Sequence, residues 1–429
     1  MITLSRRALL AAFGLGALAI PLQSCSTGDG SGGPSVVPSG VAAHLDRRPG
    51  RLAPSVSAYL GVLGGHLAGT LAKPAENFAL SPLSIASALA MTRNGAKGVT
   101  ASEMDAVLGI TDLDAYNQGM NALDRLLSSL AGTITLGDQK AEIALSQANR
   151  IWLQTGLALE QTFLDAVALD YGAGVQLDDF RADFEAARAR INAWVSEQTR
   201  ERIPKLLPDG SLDPSTRLVL VNALYFKAPW YETLPELGSA SFTTGSGTAK
   251  DVPMVGATTS TWLAGDTFEA TSVPYFGDKL AMTLVKPRSS VAEVFSGWAK
   301  GGLDAMLASM GASSTQVKFP TWKQRSTLTL KESLQGLGME AAFSDEADFT
   351  GMTTQERLAI AEVHHQVFVA VDKEGTEAAA ATGVVMRETS AQIADHELVL
   401  DRPFCWVIHD LATRTPMFIG AVSDPTAGA

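Results

Sequence analysis

The residue types that could carry chemistry in this chain are few, and their spacing does not assemble them. His364 and His365 are the one adjacent pair among six histidines. Two imidazoles side by side suggest a metal site, but neighbours along a strand point to opposite faces and cannot readily grip one ion. No Cys or acidic cluster at ligand spacing accompanies them. One of the two is expected to be a buried, hydrogen-bonded histidine. Gly28-Asp29-Gly30-Ser31-Gly32-Gly33 satisfies G-x-G-x-x-G, a pattern that cradles a pyrophosphate only between a strand and a helix. It lies instead in a Gly/Ser/Pro-rich stretch, so the match is fortuitous. The chain has no Gly-x-Ser-x-Gly, no Walker loop and no His-Glu-x-x-His. Neither a cofactor nor a metal is expected, and an enzyme has little support.

A different kind of signal comes from Val371 to Gly383, VDKEGTEAAAATG. Four consecutive alanines favour helix by intrinsic propensity. The run is nevertheless confined between Gly375 and Gly383, and an isolated helix under about 12 residues is marginal in water. With period two, Thr376, Ala378, Ala380, Thr382, Val384 and Met386 form an uncharged face, while Glu377 and Arg387 fall on the other. One face suits burial and the other suits water. Side chains this small build a poor core of their own, but they fit a strand that enters a finished sheet late.

The elements needed to hold such a strand are legible along the chain. Pro54 to Leu71 has helical spacing, and Ser81-Pro82 are cap and first-turn residues for the helix that follows Asn77–Leu80. Helical segments continue to about residue 130. Ala144 to Leu153 alternates as a strand, and Phe184 to Arg200 is an amphipathic helix. Leu218 to Phe226, LVLVNALYF, is apolar almost throughout, as a strand buried on both faces would be. Asn222 interrupts it with an amide that needs partners. Strands follow at 252–263, 267–276 and 279–286, helix at 291–309 and 329–338, and strands again at 365–372, 397–400, 403–410 and 416–422. The pattern predicts an α+β domain of mixed sheets with helices around them.

The 429 residues are 46% hydrophobic and 18% charged, enough for a large core. A formal charge of −12 and a pI near 5.0 argue against nucleic acid as a partner and leave protein. At the N-terminus, Arg6-Arg7 and an apolar run to Leu22 read as a signal peptide over residues 1–24. Leu22-Gln23-Ser24-Cys25 resembles a bacterial lipobox, with Cys25 as the lipidated residue. Ser5 to Leu10 also resembles a twin-arginine signal. Residues 25–50 read as a flexible tether, and 51–429 as one domain. The expected location is therefore outside the cytoplasm, anchored to the envelope through Cys25 or secreted. Cys405, in an apolar run, is expected to be a small buried hydrophobe, and no disulfide is expected.

Several segments, in order, resemble the serpins, a family of protease inhibitors. They are NFALSPLSIASALAMTRNGAKGVTASEM (77–104), VNALYFKAPW (221–230), VPYFGDKLAMTLVKP (273–287), LKESLQGLGMEAAFSDEADFTGMT (330–353), HHQVFVAVDKEGTEAAAAT (364–382) and DRPFCWVIHD (401–410). The resemblance implies the serpin fold, with an exposed reactive-centre loop. It also implies a suicide-substrate inhibitor of serine proteases, a monomer whose partner is the protease held as a covalent acyl complex. Serpin loop insertion is itself a known instance of strand addition and of released strain.

By this resemblance Gly375, Thr376, Glu377, Ala378, Ala379, Ala380, Ala381 and Thr382 form the hinge. Ser81, Ser84, Asn222 and His365 form the shutter, the polar cluster where strands part, and Trp230 marks the breach, where insertion begins. Lys373 stands where the family often has an acid, with Thr321 as its aligned partner. Counting fifteen residues from Gly375 puts the reactive bond at Thr389-Ser390, with Arg387-Glu388 as the rival. Thr389 suits elastase-like or subtilisin-like targets. The alternative function is a non-inhibitory serpin-fold binding protein; such members tend to carry bulky, charged or proline residues in the hinge.

Overall fold

The computed structural model describes residues 40–41, 46–377 and 394–428. These residues build two sheets. The first has eight strands, in the order Gly40–Val41, Val175–Asp178, Gln139–Gln154, Leu218–Pro229, Gly375–Thr376, Val363–Val371 and Trp322–Thr329, with Gly132–Leu136 paired to Gln139–Gln154. The second has nine, in the order His396–Val399, Gly311–Pro320, Ala249–Ala264, Phe268–Pro274, Leu280–Pro287, Phe404–Asp410, Pro416–Val422 and Phe78–Leu80, with Glu236–Thr243 paired to Ala249–Ala264. Helices pack around both, so the α+β expectation holds.

Leu218–Pro229 is buried along nearly its whole length because it separates two cores. Its even residues Leu218, Leu220, Leu224, Phe226 and Ala228 join the main core between the sheets. Its odd residues Val219, Val221 and Ala223 join a second core under the helix Phe180–Gln198, with Ile191 and Val195. A period-two chain with apolar residues at both parities has to be covered on both faces. The helix Pro82–Arg93 packs against three strands and is buried on almost every side. Ser81 caps it by accepting the Ser84 N–H at 3.2 Å, and Pro82 occupies its first turn.

Two expectations need correction. The helix expected over 291–309 is two, Val291–Trp298 and Gly302–Ala308. Gly301 breaks it by taking a left-handed φ of 88°. The strands Gly311–Pro320 and Trp322–Thr329 were not expected. In the second of these the inward positions include Gln324 and Ser326, both buried, so the hydropathy does not alternate although the burial does. Their side chains bond the short strand beneath: Gln324 Nε2 donates to the Phe78 carbonyl at 2.9 Å, and the Ala79 N–H donates to Ser326 Oγ at 2.9 Å.

Candidate functional site

The site lies where Leu218–Pro229 and Val363–Val371 part. Below, the two strands pair in parallel from Val363–Leu220 to Val367–Leu224. Above, Gly375 and Thr376 sit between them, antiparallel to both, opposite Pro229 and Ala228 on one side and with Thr376 opposite Val371 on the other. The chain therefore leaves Val371, turns, and starts back down the gap beside its own strand.

The turn is built locally. Asp372 Oδ1 accepts the N–H of Glu374 at 2.8 Å and of Gly375 at 3.2 Å, the hydrogen bonding of an Asx turn. Gly375 has a φ of 154°, and a Cβ there would lie 2.2 Å from the Ala228 carbonyl oxygen, so no other residue lets the backbones approach this closely. The ammonium of Lys373 pairs with Glu236 at 2.8 Å.

Trp230 holds the turn from the adjoining strand end. Its indole N–H donates to the Asp372 carbonyl at 2.8 Å, and its ring stacks on Tyr275 with centroids 4.6 Å apart. The Tyr275 hydroxyl meets Thr376 Oγ1 at 2.6 Å, and Thr376 is 1% exposed. Burial pushes the Tyr275 hydroxyl far above its ordinary range, so it stays protonated and available as a donor.

Further down, under the parallel pairing, Ser81, Ser84, Asn222 and His365 come together. Asn222 Nδ2 donates to the Ser84 carbonyl, and Asn222 Oδ1 meets His365 Nδ1. His365 Nε2 accepts the Ser81 N–H at 2.9 Å, and Ser84 Oγ donates to Asn149 Oδ1 at 2.8 Å. This network assigns His365 as a neutral ring, protonated on Nδ1. The amide of Asn222 and the ring of His365 thus have the partners that burial demands. His364 is also buried, on the opposite face, and its Nε2 has no partner among the described residues.

Burial lowers His365 to about 3 and His409 to about 4. A base depressed in the folded state stabilises the fold above its unfolded value, near 6.5. That contribution is lost as pH falls from there toward the folded values. Unfolding free energy should therefore drop below pH 6.5 by about 1.4 kcal/mol per pH unit for each of these histidines. Urea titrations of the wild type and of His365→Gln measure it, and the variant should show a shallower acid slope.

Two features depart from the sequence expectation. Gly375 and Thr376 are already in the sheet of the intact chain. Glu377 is not on a wet face: its side chain is 4% exposed and pairs with Arg202 at 2.5 Å. Arg202 follows the helix Phe180–Gln198 and overlies the sheet, which closes the face that alternation alone leaves open. Neither Arg202 nor Tyr275 was singled out from the sequence. Arg202 carries no local pattern, and Tyr275 looks like one more aromatic in a strand end. Cys405 is fully buried, as expected. Cys25, Ala378 to Thr382, Arg387-Glu388 and Thr389-Ser390 lie outside the described residues.

Residues 63–425 match the family described as Serpin (serine protease inhibitor). A serpin-like protein of Thermococcus kodakarensis is 33% identical over 360 residues, covering 82% of each chain. The leukocyte elastase inhibitor of Bos taurus is 32% identical over 366 residues, covering 82% of this chain and 94% of that one. Among solved structures, the thermophilic serpin tengpin in its native state is similar at a TM-score of 0.78 and 26% identity, over 90% of this chain and 99% of that one.

Proposed function

Since the chain belongs to the serpin family, a superfamily of protease inhibitors, we propose that it traps serine proteases by letting them cut its loop and then inserting the loop as a strand. The observation that carries this is Gly375–Thr376 seated between two strands that part to receive it.

The register says what further insertion would do. Continuing antiparallel from Thr376, Ala378 would fall opposite Phe226 and Val369, Ala380 opposite Leu224 and Val367, Thr382 opposite Asn222 and His365, and Val384 opposite Leu220 and Val363. Each of those partners faces the main core or the shutter cluster. The inserted side chains would therefore be the uncharged period-two set. Insertion requires the parallel pairs from Val363–Leu220 to Val367–Leu224 to separate. The cluster of Asn222, His365, Ser81 and Ser84 lies at that seam, a reading that makes it the point where separation is controlled.

In the trap, the protease serine attacks the Thr389 carbonyl, the Thr389–Ser390 bond breaks, and the new amine leaves on Ser390. The protease remains esterified to Thr389. Insertion then carries that ester away from the loop end, before water completes hydrolysis. A small β-branched residue at the cut favours elastase-like or subtilisin-like pockets. We place the protein outside the cytoplasm, held by a lipid on Cys25 at the end of a flexible tether and acting as a monomer.

The test is incubation of the mature protein with elastase, subtilisin and trypsin, followed by denaturing electrophoresis. An acyl complex that survives SDS is expected; cleavage without a complex would remove the inhibitory reading. Mass spectrometry of the released C-terminal fragment reads the bond. A fragment beginning at Ser390 is expected, and one beginning at Glu388 would move the cut to Arg387, where a trypsin-like pocket would bind the guanidinium through a charge-assisted pair.

A further inference from the structure

At Glu377 the backbone leaves the extended conformation of a strand. Its N–H still donates to the Ala370 carbonyl at 2.7 Å, the next rung of the ladder. Its φ of 52°, however, is left-handed, uncommon for a side chain of this kind. The carboxylate is turned inward, with one oxygen on Arg202 and, among the described residues, no hydrogen-bond partner for Oε2. Burial holds it above the ordinary carboxylate range, against the Tyr225 hydrogen bond and the charges of Arg202, Lys227 and Arg200.

Arg202 is delivered to this spot by an unusual turn. Arg200 and Glu201 are consecutive non-glycine residues with left-handed φ, 51° and 63°, each of which costs free energy. The turn is fastened on both sides. Thr199 Oγ1 donates to the Val195 carbonyl at 2.8 Å and accepts the Ile203 N–H at 3.2 Å, and Ile203 is buried. The Arg202 carbonyl accepts Arg325 Nη2 at 3.3 Å, and its guanidinium lies 5.9 Å from the centre of the Phe368 ring. The neighbouring cations are engaged elsewhere: Arg200 pairs with Glu142 at 2.9 Å and Lys227 with Glu142 at 3.8 Å.

We infer that Arg202 is a positioning residue that sets how far the hinge of the uncut loop sits in the sheet, acting through the carboxylate of Glu377. The inference rests on the reading of Gly375–Thr376 as the hinge of the trap. Without Arg202, the enclosed carboxylate loses its ion pair and keeps only the Tyr225 hydroxyl and the more distant charges of Lys227 and Arg200, and the hinge has two ways to relieve it. Advancing means parting the parallel pairs from Val363–Leu220 to Val367–Leu224. Withdrawing means giving up the pairing of Gly375 and Thr376, the Glu377–Ala370 rung and the Thr376–Tyr275 bond, with the five parallel pairs left intact. Withdrawal breaks fewer interactions and is the expected outcome.

The pH dependence follows. In Arg202→Ala the inserted hinge holds a carboxyl raised further, so insertion is favoured as pH falls through that raised value and lost as pH rises. The other titratable groups acting on this carboxylate are Tyr225 and Lys227 on the adjoining strand and Arg200 on the turn. All remain in the variant.

Hydrogen exchange at the Thr376 and Glu377 amides of the full-length protein reads the hinge directly. Arg202→Ala should exchange about ten-fold faster than wild type at pH 7, a modest factor because the guanidinium is half exposed and screened. After correction for intrinsic rates the difference should shrink at pH 5. Glu377→Gln should stay protected, and the double variant should return to protection, which a general loss of folding would not allow. Arg202→Lys should fall between wild type and Arg202→Ala. Wild-type exchange in Arg202→Ala at pH 7, or a double variant as fast as the single one, would overturn the inference. No protease enters the measurement, so an absence of SDS-stable complexes would remove the inhibitory reading without altering this result.

Discussion

Cutting the loop should make the protein more stable, raising its melting temperature by several degrees. Nicking an exposed loop ordinarily leaves stability unchanged or lower. Here the released segment has a place to go. Thr376 already occupies the top of the gap, and the register lets the residues after it pair with Leu218–Pro229 on one side and Val363–Val371 on the other. Each residue that enters exchanges solvent for ladder hydrogen bonds and places a small uncharged side chain over the core. The parallel pairing lost is limited to the stretch from Val363–Leu220 to Val367–Leu224. A net gain of a few kcal/mol moves the midpoint of a domain this large by several degrees. Calorimetry of intact and proteolysed protein measures it, and a cut form that melts at or below the intact one rules out insertion.

Thr376→Arg should convert the protein from inhibitor to substrate. Thr376 is 1% exposed, with its hydroxyl on Tyr275 and its neighbours Ala228 and Val371 buried as well. An unpaired guanidinium there would cost several kcal/mol to bury. The hinge should leave the sheet in the uncut protein, and insertion after the cut should slow. The acyl ester then has time to hydrolyse, so most encounters should end in cleaved variant and free protease. Gel densitometry of complex against cleaved product should show at least a ten-fold fall in the complexed fraction. Thr376→Val, which keeps the shape and drops the hydroxyl, should retain most of it. Undiminished complex formation by Thr376→Arg would mean that this position does not enter the core during inhibition.

Much of this was legible in the residues themselves, because the signals are local. The apolar run around Asn222 marks a strand covered on both faces, and Ser81-Pro82 mark a helix start. The uncharged even positions from Thr376 mark a face fit for burial. Gly375 could be read as a turn residue, though not its reason, which is the backbone of Ala228 at contact distance. Gln324 and Ser326 hid a strand, since their polarity serves another strand's backbone, nearly 250 residues earlier in the chain.

The sequence by itself determined which residues are able to enter the sheet: small, uncharged side chains at alternate positions after a glycine, with a buried amide and a histidine elsewhere to meet them. Only the tertiary structure decided how far they have entered. That depends on where two strands part, on Tyr275 receiving Thr376, and on Arg202 meeting Glu377 from a turn far away in the chain. Pairing between strands and between charges is a property of distance in space. Side-chain alternation reports only which way a residue points, so Glu377 looked destined for water until another segment was found lying over it.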